Sequence, residues 1–173
     1  MSATPDWTLE HIRQHIADGL PLVPLFNLEV VEATAIRGRL RLNAGEHVSR
    51  PGGAVAGPVL FALADVVTYA LILAARHDPD AVTVDLTINF LRPARNLPLL
   101  AEAVPLRAGR RLFTAEVRIS EQAAGGELVA QATTTWSLSR GALGHGAAIG
   151  PRGTSQVADG RLGRWCLPER KLP

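Results

Sequence analysis

Asp65 is the residue in this sequence best placed to do chemistry. It is the one formal charge in Val59–Ala75, VLFALADVVTYALILAA. An ionised carboxylate in such surroundings is costly unless partners or water meet it. Helical spacing sets Phe61, Ala62, Thr68 and Tyr69 beside it. Two readings follow. The acid either bonds a neighbouring backbone or subunit and fixes the helix, or it is a desolvated carboxylate of raised pKa serving as general base or nucleophile.

The start of the same run supplies a second element. Pro58 suits the first helical position, where a missing N–H is harmless. Gly57 and the first turn then present free N–H groups and the positive end of the helix dipole. A carbonyl oxygen held there would have its developing charge stabilised, by about 3–4 kcal/mol per good donor. Asp65 lies roughly 12 Å further along at ~1.5 Å per residue, too far for one small group. A groove combining one subunit's helix start with Asp65 of a second subunit meets that distance and points to a dimer-interface site.

Other reactive types lead nowhere. His11 and His15 are four apart on a helix but lack a third ligand with sensible spacing, so they read as surface histidines and no metal is expected. Cys166 is the single cysteine; it has no obvious base nearby, excludes an internal disulfide framework and agrees with a reducing cytoplasm. The sequence has no G-x-S-x-G elbow, Walker loop or H-E-x-x-H. Gly144-His-Gly146 is not followed by a helix, which argues against a dinucleotide site.

The elements that position Asp65 read clearly. Asp6–Gly19 predicts a short helix capped by Asp6, with Leu9, Ile12, Ile16 and Leu20 on one face. A hairpin follows, Leu28–Ala33 and Arg37–Asn43, with its turn near Thr34–Gly38. Residues 44–58, with four glycines and two prolines, form a loop before the apolar helix. Strands are expected at Val82–Leu91, Leu97–Leu106, Arg111–Ser120 and Leu128–Leu138. In the first of these, Val82, Val84, Leu86, Ile88 and Phe90 point inward; Thr83, Asp85, Thr87 and Asn89 form an outer polar row. Short connections imply an antiparallel sheet. One long apolar helix is best covered by a curved sheet of five to six strands wrapped around it, an α+β arrangement. The chain divides into an N-terminal helix and lead-in (1–24), the main domain (25–140) and a Gly/Arg/Pro-rich tail (141–173), loosely packed or disordered.

Charge narrows the partners. The net charge is +2, yet residues 1–140 hold 13 Arg against 14 Asp and Glu. The excess sits in the tail, so no nucleic-acid partner is expected. The apolar run is long enough to span a bilayer, but its central acid and the amphipathic strands that follow favour a buried helix and no membrane. Met1–Glu10 carries no export signal, which agrees with a cytoplasmic location.

Gly57-Pro-Val-Leu-Phe-Ala-Leu-Ala-Asp65, followed by Thr83-Val-Asp-Leu-Thr-Ile-Asn-Phe-Leu-Arg-Pro-Ala94, resembles the PaaI-like hotdog acyl-CoA thioesterases. The resemblance covers about residues 25–140, including the Gly109-Arg110-Arg111 turn. It implies a hotdog fold, homodimers that are often paired again as tetramers (a dimer of dimers), and hydrolysis of acyl-CoA thioesters between subunits. No cofactor is implied beyond the coenzyme A of the substrate. By position, Asp65 matches the family acid that activates water or attacks the thioester, and Gly57 the oxyanion glycine. Thr83 matches a Ser/Thr that the other subunit contributes to place water. Arg92, Arg110 and Arg111 are expected contacts for coenzyme A phosphates, with solvated rim arginines as the alternative.

This chain departs from the pattern at the loop. Ala56-Gly57-Pro58 stands where the family has His-Gly-Gly, and Arg50 where it has a water-orienting Asn. Arg50, Ser49 and Asn89 are the candidates to take over that role. Two alternatives to hydrolysis therefore stand: a non-catalytic acyl-CoA binding or sensing protein, and a hotdog dehydratase or hydratase. The second is weakened because the helix-start position is Ala56, while His47 sits in the loop.

Overall fold

The computed structural model describes residues 7–45, 47–95, 98–122 and 126–139. Asp6 and the tail 141–173, with Cys166, lie outside them. The chain runs α1 (Leu9–Gly19), α2 (Leu22–Leu25), β1 (Leu28–Ala33), β2 (Gly38–Leu42), α3 (Gly57–Arg76), β3 (Val82–Phe90), β4 (Leu99–Ala108), β5 (Leu112–Glu121) and β6 (Leu128–Ser137). All strand pairings are antiparallel, in the order β1-β2-β4-β5-β6-β3. α3 touches every one of the six strands, which a flat sheet would not allow; the sheet bends around the helix. This is the α+β hotdog arrangement expected from the sequence.

The helix cap differs from expectation. Thr8, not Asp6, caps α1, its hydroxyl accepting from the His11 N–H at 3.3 Å. Ile12 and Ile16 are fully buried and join the main core. α3 is long and apolar enough to cross a membrane; here its apolar surface is packed against the sheet, with Leu63, Ala64, Val67 and Leu71 completely buried. At Gly38 the helix lies so close that a Cβ would meet the Val67 carbonyl oxygen at 2.9 Å.

Pro105 falls inside β4 and is accommodated at a register shift between Pro105 and Arg107. The outer face of β1, β2 and β4 carries cross-strand ion pairs, Arg37–Glu32 at 2.9 Å and Arg39–Glu102 at 2.6 Å among them.

The two edges of the sheet differ. On β1, Arg13 of α1 donates from Nε to the Val30 carbonyl at 2.7 Å. β3 forms the other edge and pairs only with β6 among the described residues. The simple alternation expected for β3 is broken. Thr83 pairs with Trp136 and Asp85 with Thr135, so Val84 is an extra residue without an opposite number. A one-residue insertion exchanges the two faces of a strand. Leu86, Ile88 and Phe90 pair with buried Thr134, Ala132 and Ala130 on the helix side, as expected. Beyond the bulge Thr83 takes that side too. Val82 turns outward opposite Ser137, and Val82 and Val84 are 59% and 61% exposed.

Candidate active site

The bulge brings Thr83 onto Asp65. The Thr83 hydroxyl donates to Asp65 Oδ1 at 2.7 Å, both residues in the same chain, whereas the resemblance implied a threonine from the other subunit. Asp65 is partly buried. Burial pushes its carboxyl above the usual carboxylate range, and the Thr83 hydrogen bond opposes part of that rise. The second carboxylate oxygen makes no hydrogen bond among the described residues. An acid of raised pKa with one oxygen held and one open is suited to accept a proton.

One turn further, Tyr69 stacks on Trp136 with ring centres 5.7 Å apart and planes 7° from parallel. Its hydroxyl donates to the Pro79 carbonyl at 2.9 Å, so His15 Nε2, 3.0 Å away, is the donor to the tyrosine oxygen. Burial, with Asp80 and Asp78 nearby, pushes the Tyr69 hydroxyl up to about 12. Tyr69 is a neutral wall beside the acid, not an alternative base.

Gly57 lies at the far end of the site. It is the first residue of α3, after Ala56, which offers no side-chain cap. The Ala56 N–H is used by the Val48 carbonyl at 2.8 Å. Those of Val59 and Leu60 both turn back to the Ala56 carbonyl, at 3.0 and 3.3 Å. Pro58 has none. Among the described residues the Gly57 N–H is therefore the free backbone donor at this helix start. It opens on a cleft of about 370 Å³ lined by Arg50, Val55, Leu60, Phe90 and Arg92. A Cβ on Gly57 would lie 3.5 Å from the Phe90 ring.

The remaining candidates divide between places. Arg92 faces this cleft and pairs with Glu127 at 2.7 Å. Arg110 and Arg111 line a separate cleft of about 780 Å³ together with Arg107, Leu112 and Ser139. The register sets Leu112, Ser137 and Val82 at one end of the sheet, and Phe90 at the other, so the arginines expected to act together are separated within one chain. Ser49 is exposed in a single bridge with Val55. Asn89 lies on the outer face, its amide 3.4 Å from Gln131 Oε1, turned away from Asp65. Of the three candidates for the missing Asn, only Arg50 lines the cleft. Among the described residues no group of three His, Cys, Asp or Glu is arranged to hold a metal.

Two residues of the site were not singled out in the sequence. Phe90 was read only as one more inward residue of its strand, although it is the one reaching Gly57. Arg95 had no motif to mark it; its guanidinium donates to the Gly52 carbonyl at 3.0 Å, tying the chain after β3 to the loop before α3.

Comparison with known proteins agrees with this fold. Residues 52–135 match the family model described as thioesterase superfamily. A Saccharolobus solfataricus protein that bears an esterase name is 33% identical over 102 residues, which cover 59% of this chain and 67% of the relative. A structure from Silicibacter sp. TM1040 that bears a thioesterase name is 30% identical, with a TM-score of 0.67 over 76% of this chain and 91% of the other. A thioesterase from Haemophilus influenzae shares the fold with a TM-score of 0.69 at 21% identity, over 80% of this chain and 95% of its own. With the family match, these relatives and the shared fold together, the chain belongs to the thioesterase superfamily.

Proposed function

We propose that this protein hydrolyses acyl-CoA thioesters at a site shared by two copies of the chain, with Asp65 as the acid. The observation that carries the reading is the Thr83–Asp65 hydrogen bond, which leaves the other carboxylate oxygen without a hydrogen-bond partner among the described residues, one helical turn from the stacked rings of Tyr69 and Trp136. Asp65 and the Gly57 N–H are about 12 Å apart on α3 at ~1.5 Å per residue, so neither can serve the other's end. The unpaired β3 edge supplies the remedy. Two β3 strands pairing antiparallel about a two-fold axis set the start of one beside the end of the other. Thr83 and Asp65 of one copy then approach Gly57, Phe90 and Arg92 of its mate. The same operation brings Arg110 and Arg111 to the end of the sheet where the mate's Arg92 lies, a favourable grouping for coenzyme A phosphates.

The reaction then runs simply. Asp65 takes a proton from water as the water oxygen bonds the thioester carbon, and the carbonyl oxygen, now negative, is met by the Gly57 N–H. Collapse restores the carbonyl and breaks the carbon–sulfur bond. The departing thiolate needs little acid help, since an ordinary thiol pKa is about 8.5. Direct attack by Asp65 on the thioester carbon, giving an anhydride that water opens, uses the same groups. No metal or redox cofactor has a part in either route.

A second reading has one specific observation in its favour. Ala56 and Pro58 leave a single free backbone donor where catalysis benefits from two, which would suit an acyl-CoA binding or sensing protein. Thiol release from a panel of acyl-CoAs decides between them. Turnover that is lost in Asp65→Asn while ligand binding persists supports the hydrolase; saturable binding without turnover by the parent protein supports the sensor. Hydration of an enoyl-CoA without thiol release would point to a hydratase.

A further inference from the structure

Among the described residues the helix start has one free backbone donor, and an arginine of the preceding loop lines the same cleft. Arg50 lines the same cleft as Gly57 and forms no ion pair among the described residues. Its backbone is held on both sides of a tight turn. The Arg50 N–H donates to the Ala54 carbonyl at 2.9 Å, and the Gly53 N–H to the Arg50 carbonyl at 3.0 Å. Gly52 and Gly53 take φ of 92° and 77°, which side-chain-bearing residues rarely adopt.

This turn is not left to itself. Arg95 Nη1 donates to the Gly52 carbonyl at 3.0 Å, and the neighbouring Val55 N–H reaches the Ala94 carbonyl at 2.9 Å. The Arg95 backbone is anchored in turn: its N–H donates to Oε1 of Glu121, a carboxylate only 9% exposed at the end of β5. A chain of contacts thus runs from the sheet, through Glu121 and Arg95, to the turn that carries Arg50. Backbone pairing alone would close the turn. The guanidinium adds a fixed link to its outermost carbonyl.

We propose, on the hydrolase reading above, that the Arg50 guanidinium is the second oxyanion donor beside the Gly57 N–H, and that Arg95, seated on Glu121, is the positioning residue that holds it there. A cation at this point replaces the donor that Pro58 cannot supply, and it does so from the loop and not from the helix.

Five proteins test this: the parent, Arg50→Ala, Arg95→Ala, Arg95→Lys and the double variant Arg50→Ala with Arg95→Ala, each assayed for thiol release and for Gly53 amide exchange. Arg50→Ala is expected to lose about 10²–10³ in kcat, the usual effect of removing one oxyanion donor. Arg95→Ala is expected to lose about 10-fold in kcat through misplacement, with KM within about twofold. Arg95→Lys should recover part of that loss. The double variant should be no slower than Arg50→Ala, because a positioning residue has nothing left to position. Gly53 exchange should quicken in Arg95→Ala. A parent enzyme that turns over while Arg50→Ala keeps its kcat overturns the proposal and leaves the hydrolase reading intact. Additive losses in the double variant, or unchanged Gly53 exchange, overturn the part assigned to Arg95. A parent that releases no thiol from any acyl-CoA overturns the hydrolase reading, and the oxyanion role with it.

Discussion

Thr83 reaches Asp65 because Val84 has no partner. The extra residue exchanges the faces of β3, so a hydroxyl that strict alternation would aim at solvent donates to the helix acid at 2.7 Å. Without the bulge the carboxylate would keep the cost of its burial and lose the one hydrogen bond that offsets it.

Asp65→Asn should therefore pull activity and stability in opposite directions. Thiol release is expected to fall by about 10²–10⁴, the usual contribution of a general base. The melting temperature at neutral pH should rise, because Asn can still accept from Thr83 without a desolvated charge. Burial raises the folded-state pKa of Asp65. Its ionisation thus works against the fold above that pKa, and the penalty fades as pH falls toward the ordinary value. The stability gained by Asn should shrink in the same direction, which melting curves from neutral to acid pH will check.

Thr83→Val tests the hydrogen bond itself. The side chain keeps its shape and loses its hydroxyl, so the downward pull on the Asp65 pKa disappears. The acid limb of the kcat–pH profile should move to higher pH, with kcat on the plateau reduced by about 10-fold. An unmoved limb would show that Asp65 does not govern it.

Deleting Val84 tests the register from the other side. Removing the unpaired residue makes Thr83 the direct neighbour of Asp85, still opposite Trp136 on the helix side by ordinary alternation, so its hydrogen bond to Asp65 should survive. Activity should stay well above the Thr83→Val level; a drop to that level would show that this register does not place the threonine.

Lysines at Val82 and Val84 address the shared site. Both positions are more than half exposed on the open edge, and charge there blocks strand pairing between copies. On the proposed shared site, in which each chain holds half of the machinery, the double variant should sediment as a monomer and lose thiol release. A monomer with full activity would confine the site to one chain.

His15 sets a separate pH response. Burial foremost, with His11 beside it, lowers its pKa, against a smaller opposing pull from Asp18. The unfolded chain then binds the proton more readily, so stability should decline as pH falls through about 6.5 and level off below the lowered value. Melting temperatures of the parent should follow this course more steeply than those of His15→Gln.

How far the sequence could be read depends on whether the signal was local. α3 was legible from its composition, and the Asp in it from the cost of burying charge. The hairpin and the three later strands followed from alternation, and Asn89 already belonged to the outward row it occupies. The bulge was hidden because Val84 is apolar and satisfies the pattern on either face. Arg92, Arg110 and Arg111 share a residue type, but the register sends them to opposite ends of the sheet. Arg95 acts through a carbonyl 43 residues away, and nothing adjacent to it in the chain announces that contact.

Gly38 gives this architecture its fulcrum. The carbonyl of Val67 rests where a methyl group would stand, and Leu71 lies against the same spot, so the beam carrying Gly57 at one end and Asp65 toward its middle passes directly over a bare backbone position of β2. Raising that seat by one carbon would tilt both working groups together while touching neither. The placement of Gly57 and Asp65 is thus written partly in a hairpin that carries neither of them.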